Sequence, residues 1–531
     1  MSYQGRYQGQ KSYSGKKKWW PGKGKPAAAI EPHKRISTPS DLQLAIFSNV
    51  AESSSNTFIR ARAGTGKTSS LSEALFRLAE SGHKLPKCGF FAFNNRIANE
   101  AKGKLTPLAS WVDVMTCHSY GLRALKAYDS HVEVDDEKNI ETCKMEAIVR
   151  ALVGGADEQT ELRYMLRKAA SLAKCYLAET VAEVADVCDL HGVEIGDDST
   201  AFYENVVKAL EMSVEQRQRV NFDDMIYLAV KLGVRVPQYS LVVIDEAQDL
   251  SKARLELMLR GVSPGGRIIS VGDDMQSIYG FAGCMSDSVD NIIKRTDATV
   301  LPLNITYRCG KHIVELAKQI VPDYIAAPTA PDGEVVECSE SYCMSHAEHG
   351  SYVLSRTNAP LVGACLSFIK AGKRACVQGR DLGRSLVWMI RRSEAESVDG
   401  FLTWLSAWEQ TECERLTEKG KDCSLINDKA EVLRIFCEGE RDLAGVKTRI
   451  GKVFDDDNDD TRIVCSTTHK AKGTEKDTVW VLTDTFKAAK GGEEARIWYV
   501  AITRAKTHLY LVSKHFSGSD PVVEEVVEDG K

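Results

Sequence analysis

Ala61-Arg62-Ala63-Gly64-Thr65-Gly66-Lys67-Thr68 follows a short apolar run at Phe58–Arg60 and precedes Leu71, Leu75 and Leu78 at helical spacing. The stretch reads as strand, glycine loop and helix. In such a turn backbone N–H groups close on phosphate oxygens, and the helix N-terminus adds its dipole. Ala61, Arg62, Ala63, Gly64, Thr65 and Gly66 are then expected to cradle the phosphates of ATP. Lys67 would reach the β- and γ-phosphates, and the Thr68 hydroxyl would bind Mg²⁺. The general pattern begins with glycine, where this chain has Ala61.

Working outward, the apolar run Leu241-Val242-Val243-Ile244 leads directly into Asp245-Glu246-Ala247-Gln248-Asp249. An aspartate at a strand end can hold the Mg²⁺ shell, and the adjacent glutamate can orient and deprotonate an attacking water. Asp245 is therefore a metal-site candidate together with Thr68, and Lys67, Asp245 and Glu246 are catalytic candidates. Further β-branched runs occur at Cys88–Phe93 and Arg267–Val271, with a helix expected over Arg96–Lys104 and another through Leu42, Ile46 and Val50. A second set follows at Val300–Leu303, Ser351–Leu354, Arg374–Val377, Arg462–Cys465, Thr478–Leu482 and His508–Val512. Short apolar strands alternating with helices imply α/β domains with parallel sheets and ligands at the strand C-termini. Residues 122–221 and 384–459 read as helical and interrupt two such domains, expected over 37–121 with 222–298 and over 299–383 with 460–516.

Composition narrows the class. The 531 residues carry a formal charge of −5, with 43% hydrophobic residues, enough for several cores. A run of about 18 uninterrupted apolar residues, the signature of a membrane span, does not occur. The 15 cysteines are scattered and form no C-x-x-C pair, as expected of reduced thiols in a cytosolic compartment: a bacterial or phage-infected cell, or a eukaryotic nucleus. Cys338, Cys343 and His346 come nearest to a metal-ligand cluster, but a matching second pair is lacking. The charge is unevenly placed. Residues 1–36 hold nine Lys/Arg against the single acid Glu31, and Asp520–Lys531 carries five acids against one lysine. The first segment, rich in Gly, Ser, Gln, Lys and aromatics, reads as disordered; residues 517–531 read as an acidic tail.

Further motifs run in a set order. They are Val271-Gly272-Asp273-Asp274-Met275-Gln276-Ser277-Ile278-Tyr279-Gly280-Phe281-Ala282-Gly283, Thr306-Tyr307-Arg308-Cys309, Thr467-Thr468-His469-Lys470-Ala471-Lys472-Gly473-Thr474-Glu475 and Tyr499-Val500-Ala501-Ile502-Thr503-Arg504-Ala505. With the phosphate loop, these resemble the helicase motifs of the UvrD/Rep/PcrA family of superfamily 1 DNA helicases. The spelling of Phe91–Asn94, Asn221–Ile226 and Ile305–Cys309 is similar to the F-box DNA helicase and phage-like branch. The resemblance implies two RecA-like P-loop domains and ATP hydrolysis. It places Gln43 and Tyr307 at adenine, Glu475 at the ribose, Gln276 as γ-phosphate sensor, and Arg308 and Arg504 on the developing phosphate charge, a task suited to a planar, permanently charged group. The second helical insertion is shorter than in the large family members.

The segments Ala92–Ala98 and Met115–Tyr120 resemble family segments lining a single-strand groove. Phe93, Tyr279, Phe281 and His469 are the candidates for base stacking, which tolerates any sequence because every base has a π-face. Asn95, Arg96 and His118 are expected on phosphates. Where the family's motif reads Trp-Arg, this chain has Phe281-Ala282, a smaller ring with no adjacent charge. The expected function is an ATP-dependent, 3′→5′ DNA helicase, acting as a monomer on single-stranded and tailed duplex DNA in replication, repair or recombination. A translocase that strips proteins, and a DNA-stimulated ATPase subunit, are the alternatives. Tyr3, Tyr7, Tyr13, Trp19 and Trp20 among lysines suit a nucleic-acid-binding arm or a protein-docking segment. Removal of residues 1–36 is expected to weaken single-strand affinity and flatten its salt dependence, because counterion release scales with the phosphates neutralised. Titrations at several salt concentrations check this; an unchanged slope favours the docking segment.

Overall fold

The computed structural model of the chain describes residues 34–82, 85–136, 142–156, 159–191, 193, 199–278, 288–418, 423–455, 461–487 and 491–521. Tyr279, Phe281 and residues 1–33 of the N-terminal segment lie outside the described residues, as does most of the acidic tail. Arg35 and Ile36, expected within the disordered segment, are anchored: the Arg35 guanidinium donates to Glu73 at 3.0 Å, and so does the Ile36 backbone N–H at 3.2 Å.

Two parallel sheets carry the chain, one for each RecA-like domain. Across the first, the strands run in the order Val112–Thr116, Cys88–Ala92, Tyr239–Ile244, Val262–Gly272, Thr57–Ala61 and Thr299–Leu303. Strand residues alternate between two cores, as the pleat requires. Ile59, Phe90, Val243 and Ile269 pack beneath the helices Asp41–Glu52 and Lys67–Glu80, whereas Phe58, Phe91, Val242 and Ile268 pack beneath Cys117–Tyr128, Asp224–Lys231 and Lys252–Arg260. The run Val300–Leu303, expected with the second set of strands, belongs here. It pairs in parallel with Thr57–Ala61 and covers what would otherwise be an open edge beside the phosphate loop.

The second sheet has the order Glu334–Ser339, Ala505–Ser513, Lys476–Leu482, Tyr352–Ser355, Ile463–Thr467, Ala375–Gln378 and Phe454–Asp455. One face (Tyr352, Leu354, Val464, Val479) packs with Ile313, Val314, Tyr499 and Ile502; the other (Val353, Val377, Ile463, Trp480) packs with Leu361, Leu386, Leu433 and Val446. Cys338 and Cys343 fill that second core, and among the described residues there is no group of three His, Cys, Asp or Glu able to hold a metal ion. No helix among the described residues is long and apolar enough to cross a membrane.

The two helical insertions differ in kind. The first builds its own core from Met145, Ile148, Leu166, Ala170, Val184, Val206 and Leu210. The second does not: Phe401, Leu405, Leu433, Phe436, Val446 and Ile450 share one cluster with the sheet residues Val353, Ile463 and Trp480.

The first insertion joins its domain through a buried ionic knot. Asp224 accepts from Lys144 and Lys174, each at 2.7 Å, and from Ser213 at 2.9 Å. Both lysines and the aspartate are at most 1% exposed. Asp224→Asn would leave two buried ammonium groups without their counter-charge. A loss of about 3–5 kcal/mol is expected, read as an earlier unfolding transition in chemical denaturation, while Asp290→Asn, with a side chain 78% exposed on the same domain, should move it far less.

Candidate nucleotide site and nucleic-acid track

The loop after Thr57–Ala61 turns on two left-handed glycines, Gly64 (φ 67°) and Gly66 (φ 76°). Gly64 is required twice over: a Cβ there would lie 2.4 Å from the Arg308 Cβ and 2.6 Å from the Thr306 Oγ1. Gly66 caps the helix Lys67–Glu80, so Lys67 and Thr68 occupy its first turn. The Lys67 ammonium meets Glu246 at 2.8 Å, and the Thr68 hydroxyl donates to Asp245 at 2.5 Å.

Both acids stand at the end of Tyr239–Ile244. Glu246 takes a left-handed backbone (φ 53°), uncommon for a residue with a Cβ, which turns its carboxylate back towards Lys67. Gln248 donates to the same carboxylate at 2.5 Å and accepts the Asp273 N–H at 3.0 Å, tying the two acidic turns together. Burial raises the proton affinity of Glu246, but the ammonium groups of Lys67 and Lys472 outweigh it and hold the group ionised. Burial and the Glu246 charge push Asp245 the other way. A buried carboxylate with raised proton affinity beside a hydroxyl is a hard-oxygen pair short of positive charge, and that donor set fits Mg²⁺.

The facing domain supplies the cations. Arg308 ion-pairs with Glu475 and donates to the Thr503 carbonyl at 3.2 Å. Arg504, 1% exposed, donates to the Val500 carbonyl at 2.9 Å and the Thr474 carbonyl at 3.1 Å. Burial and the neighbouring Arg308 lower its pKa to about 10, so it remains charged near neutrality. Lys67, Thr68, Glu246, Gln276, Tyr307, Arg308, Glu475 and Arg504 line one cleft of about 560 Å³, joined by Ile97, Glu100 and Lys104 of the helix Asn95–Lys104. Gln276 donates to Asp273 at 2.8 Å. The two residues expected at adenine come together: the Tyr307 hydroxyl donates to the Gln43 amide oxygen at 3.4 Å. Gln43 also closes the capping box of its own helix with Ser40.

Not all loop residues face this cleft. The Arg62 side chain turns away from it and pairs with Asp274 at 2.5 Å, Asp323 at 3.0 Å and Asp273 at 3.5 Å. Ala61 ends the strand, fully buried. Ala63 is embedded in the second domain's core: its N–H donates to the Tyr499 hydroxyl at 2.9 Å, and its carbonyl accepts from the Tyr324 hydroxyl at 2.9 Å. The Gly64 carbonyl accepts the Tyr307 N–H at 3.0 Å. Lys472 bridges the domains as well, reaching Asp249 at 2.7 Å and the Gln276 carbonyl at 2.7 Å. Lys472 and Tyr499 lie inside motifs legible in the sequence; Tyr324 lies in none.

On the first domain Phe93 sits under the Arg254 guanidinium, 5.1 Å from its ring centre. His118 stacks on Phe222 at 3.8 Å. Burial, with Arg254 beside it, pushes His118 down to about 3, so it carries no charge for a phosphate near neutral pH. Phe222, half exposed within the quoted Asn221–Ile226, is an aromatic that motif reading passed over. Asn95 and Arg96 are exposed in the first turn of their helix. His469 lies across in the second domain, its pKa pushed to about 4 by burial and by Arg356.

Two parallel α/β units that face a phosphate loop and strand-end acids with arginines from the opposite unit define a two-domain P-loop nucleotide-binding protein. Two family models agree: the UvrD/REP helicase N-terminal domain matches residues 43–297, and the UvrD-like helicase C-terminal domain matches residues 462–512. The chain belongs to the UvrD/Rep helicase family. It is 25% identical over 281 residues to the ATP-dependent DNA helicase PcrA of Bacillus subtilis (strain 168). It is 24% identical over 285 residues to the protein of that name from Staphylococcus epidermidis (strain ATCC 35984), and 24% over 282 residues to that of Staphylococcus aureus (strain Mu50). Each alignment covers 50% of this chain and 37% of the relative.

The tyrosine contacts yield an ordered expectation. Tyr499→Phe leaves a buried N–H without its acceptor, costlier than the carbonyl, with its second lone pair, that Tyr324→Phe leaves under-satisfied. Nucleotide affinity, titrated with a fluorescent ATP analogue, should fall more for Tyr499→Phe than for Tyr324→Phe.

Proposed function

We propose that the chain hydrolyses ATP and uses the cycle to move along single-stranded DNA, separating duplex DNA ahead of it in the 3′→5′ direction. The observation that carries this reading is the composite cleft, with Lys67, Thr68 and Glu246 on one domain, Asp245 bonded to Thr68 behind it, and Arg308 and Arg504 on the other. Lys67 would exchange Glu246 for the β/γ-phosphate oxygens, freeing the carboxylate. Thr68 and Asp245 would hold Mg²⁺, which neutralises phosphate charge when bound. Glu246 would take a proton from the water that attacks the γ-phosphorus, as the bond to the ADP oxygen breaks. Arg308 and Arg504 would meet charge that grows in the transition state. Gln276 would carry the state of the γ-phosphate into the segment leading to Tyr279 and Phe281.

Phe93, Phe222 and His469 would stack on bases, with Asn95 and Arg96 on phosphates, so that changes in domain spacing advance one strand. The name shared by the bacterial relatives, ATP-dependent DNA helicase, supports DNA as the polymer. The chain would act as a monomer, and a reducing compartment fits the free thiols of the described residues. Protein displacement with little strand separation is the second reading, favoured by a second insertion folded into the sheet's own core.

Glu246→Gln should bind ATP with Mg²⁺ and lose turnover, since Gln cannot take the proton; hydrolysis at the wild-type rate rejects Glu246 as the base. The wild type should displace the strand from a 3′-tailed duplex and not from a 5′-tailed one. Robust hydrolysis with neither duplex opened favours protein displacement.

A further inference from the structure

The helix Arg380–Arg392 carries a face that the nucleotide cleft does not use. Arg380, Arg384, Trp388, Arg391 and Arg392 recur every three to four residues along one side, and all five are exposed, Trp388 by 51%. The opposite side, Leu386, Met389 and Ile390, is buried in the second domain's core. Two glycines set this orientation. At Gly383 a Cβ would come within 3.0 Å of the Phe454 ring, so the helix backbone rests directly on that residue. At Gly379 (φ 132°) a Cβ would lie 2.0 Å from the Lys470 Nζ, which crosses the start of the helix to reach the Gln378 carbonyl at 3.1 Å.

Lys470 is the neighbour of His469, so the basic face begins where the second-domain end of the expected single-strand track lies. From there it runs about 18 Å along the helix, with i,i+4 steps of about 6 Å. Arg380 is tied to Asp455; Glu394 and Glu396 lie beyond the helix end. The Arg392 guanidinium stands 5.4 Å from the centre of the Trp388 ring. A lone exposed tryptophan is ordinary. One set among four arginines on a single helix face has the composition of a single-strand binding surface, cations for phosphates and a ring for a base.

We propose that this face extends the nucleic-acid track, with Arg384, Arg391 and Arg392 taking phosphates of single-stranded DNA and Trp388 stacking on a base. The proposal rests on the single-strand reading above. The test uses the full chain, a labelled oligothymidylate and fluorescence anisotropy over a series of salt concentrations. The combined variant Arg384→Ala, Arg391→Ala, Arg392→Ala should lower the slope of log affinity against log salt by about 2, since each phosphate contact on a single strand contributes about 0.7. Trp388→Ala should weaken binding roughly tenfold, the worth of one stacked base, with little change of slope, and Trp388→Phe should restore most of it. Melting temperatures confirm that each variant is folded. Unchanged slope and affinity in folded variants overturn the proposal while leaving the single-strand reading intact. Loss confined to double-stranded DNA also overturns it. Failure of the wild type to bind the oligonucleotide removes the single-strand reading itself.

Discussion

The phosphate loop is bonded to the domain it faces. Arg62 pairs with Asp323, Ala63 is held by the hydroxyls of Tyr324 and Tyr499, and Gly64 accepts the N–H of Tyr307. Three successive loop residues thus owe their positions to groups outside their own sheet. Buried backbone polar groups must be satisfied somewhere. If the second domain withdrew, Ala63 would need water or a new partner on both of its polar atoms. The loop's readiness for phosphate is therefore coupled to how the domains sit, before any arginine is considered.

Charge is arranged in the same sense. Lys67 and Glu246 neutralise each other within the first domain, whereas Lys472 carries the second domain's charge across to Asp249, both groups almost fully buried. Breaking a buried pair of this kind is costly because each partner is left in low dielectric. Lys472 also holds the Gln276 carbonyl, so the residue proposed as γ-phosphate sensor is tied to the second domain through its backbone and to Asp273 through its side chain. A shift in either domain strains the other's hydrogen bonds.

Much of this was legible in the chain. Apolar, β-branched runs marked most strands to within a residue or two, because a parallel sheet buried on both faces needs them. The strands that escaped notice are those lacking that pattern. Glu334–Ser339 sits at a sheet edge with a mixed, partly exposed pattern, Val112–Thr116 alternates with the polar Asp113, and Phe454–Asp455, inside the stretch 384–459 expected to be helical, is a two-residue strand too short to show a pattern. Thr299–Leu303 was visible as a strand but not as a member of the first sheet, since strand order is a long-range property. Within the site, motif order brought the cleft residues together on paper. It could not show that the Arg62 side chain leaves the loop for three aspartates, or that His118 lies neutral against Phe222. Tyr324 was invisible because its role comes from a hydroxyl reaching across a domain boundary.

The second insertion shares its core with the second sheet, and this has a mechanical side. Its helix Val398–Glu418 has 21 residues and so extends about 30 Å. A hairpin fused to a sheet in one cluster of side chains turns with that sheet as one body. Beyond Leu405, the last of its residues in that core, about 20 Å of helix remains, and a tilt of about 10° in the sheet would sweep its far end through about 3 Å. Rotation of the second sheet is thereby carried outward to the end of the insertion, without a separate hinge between the two.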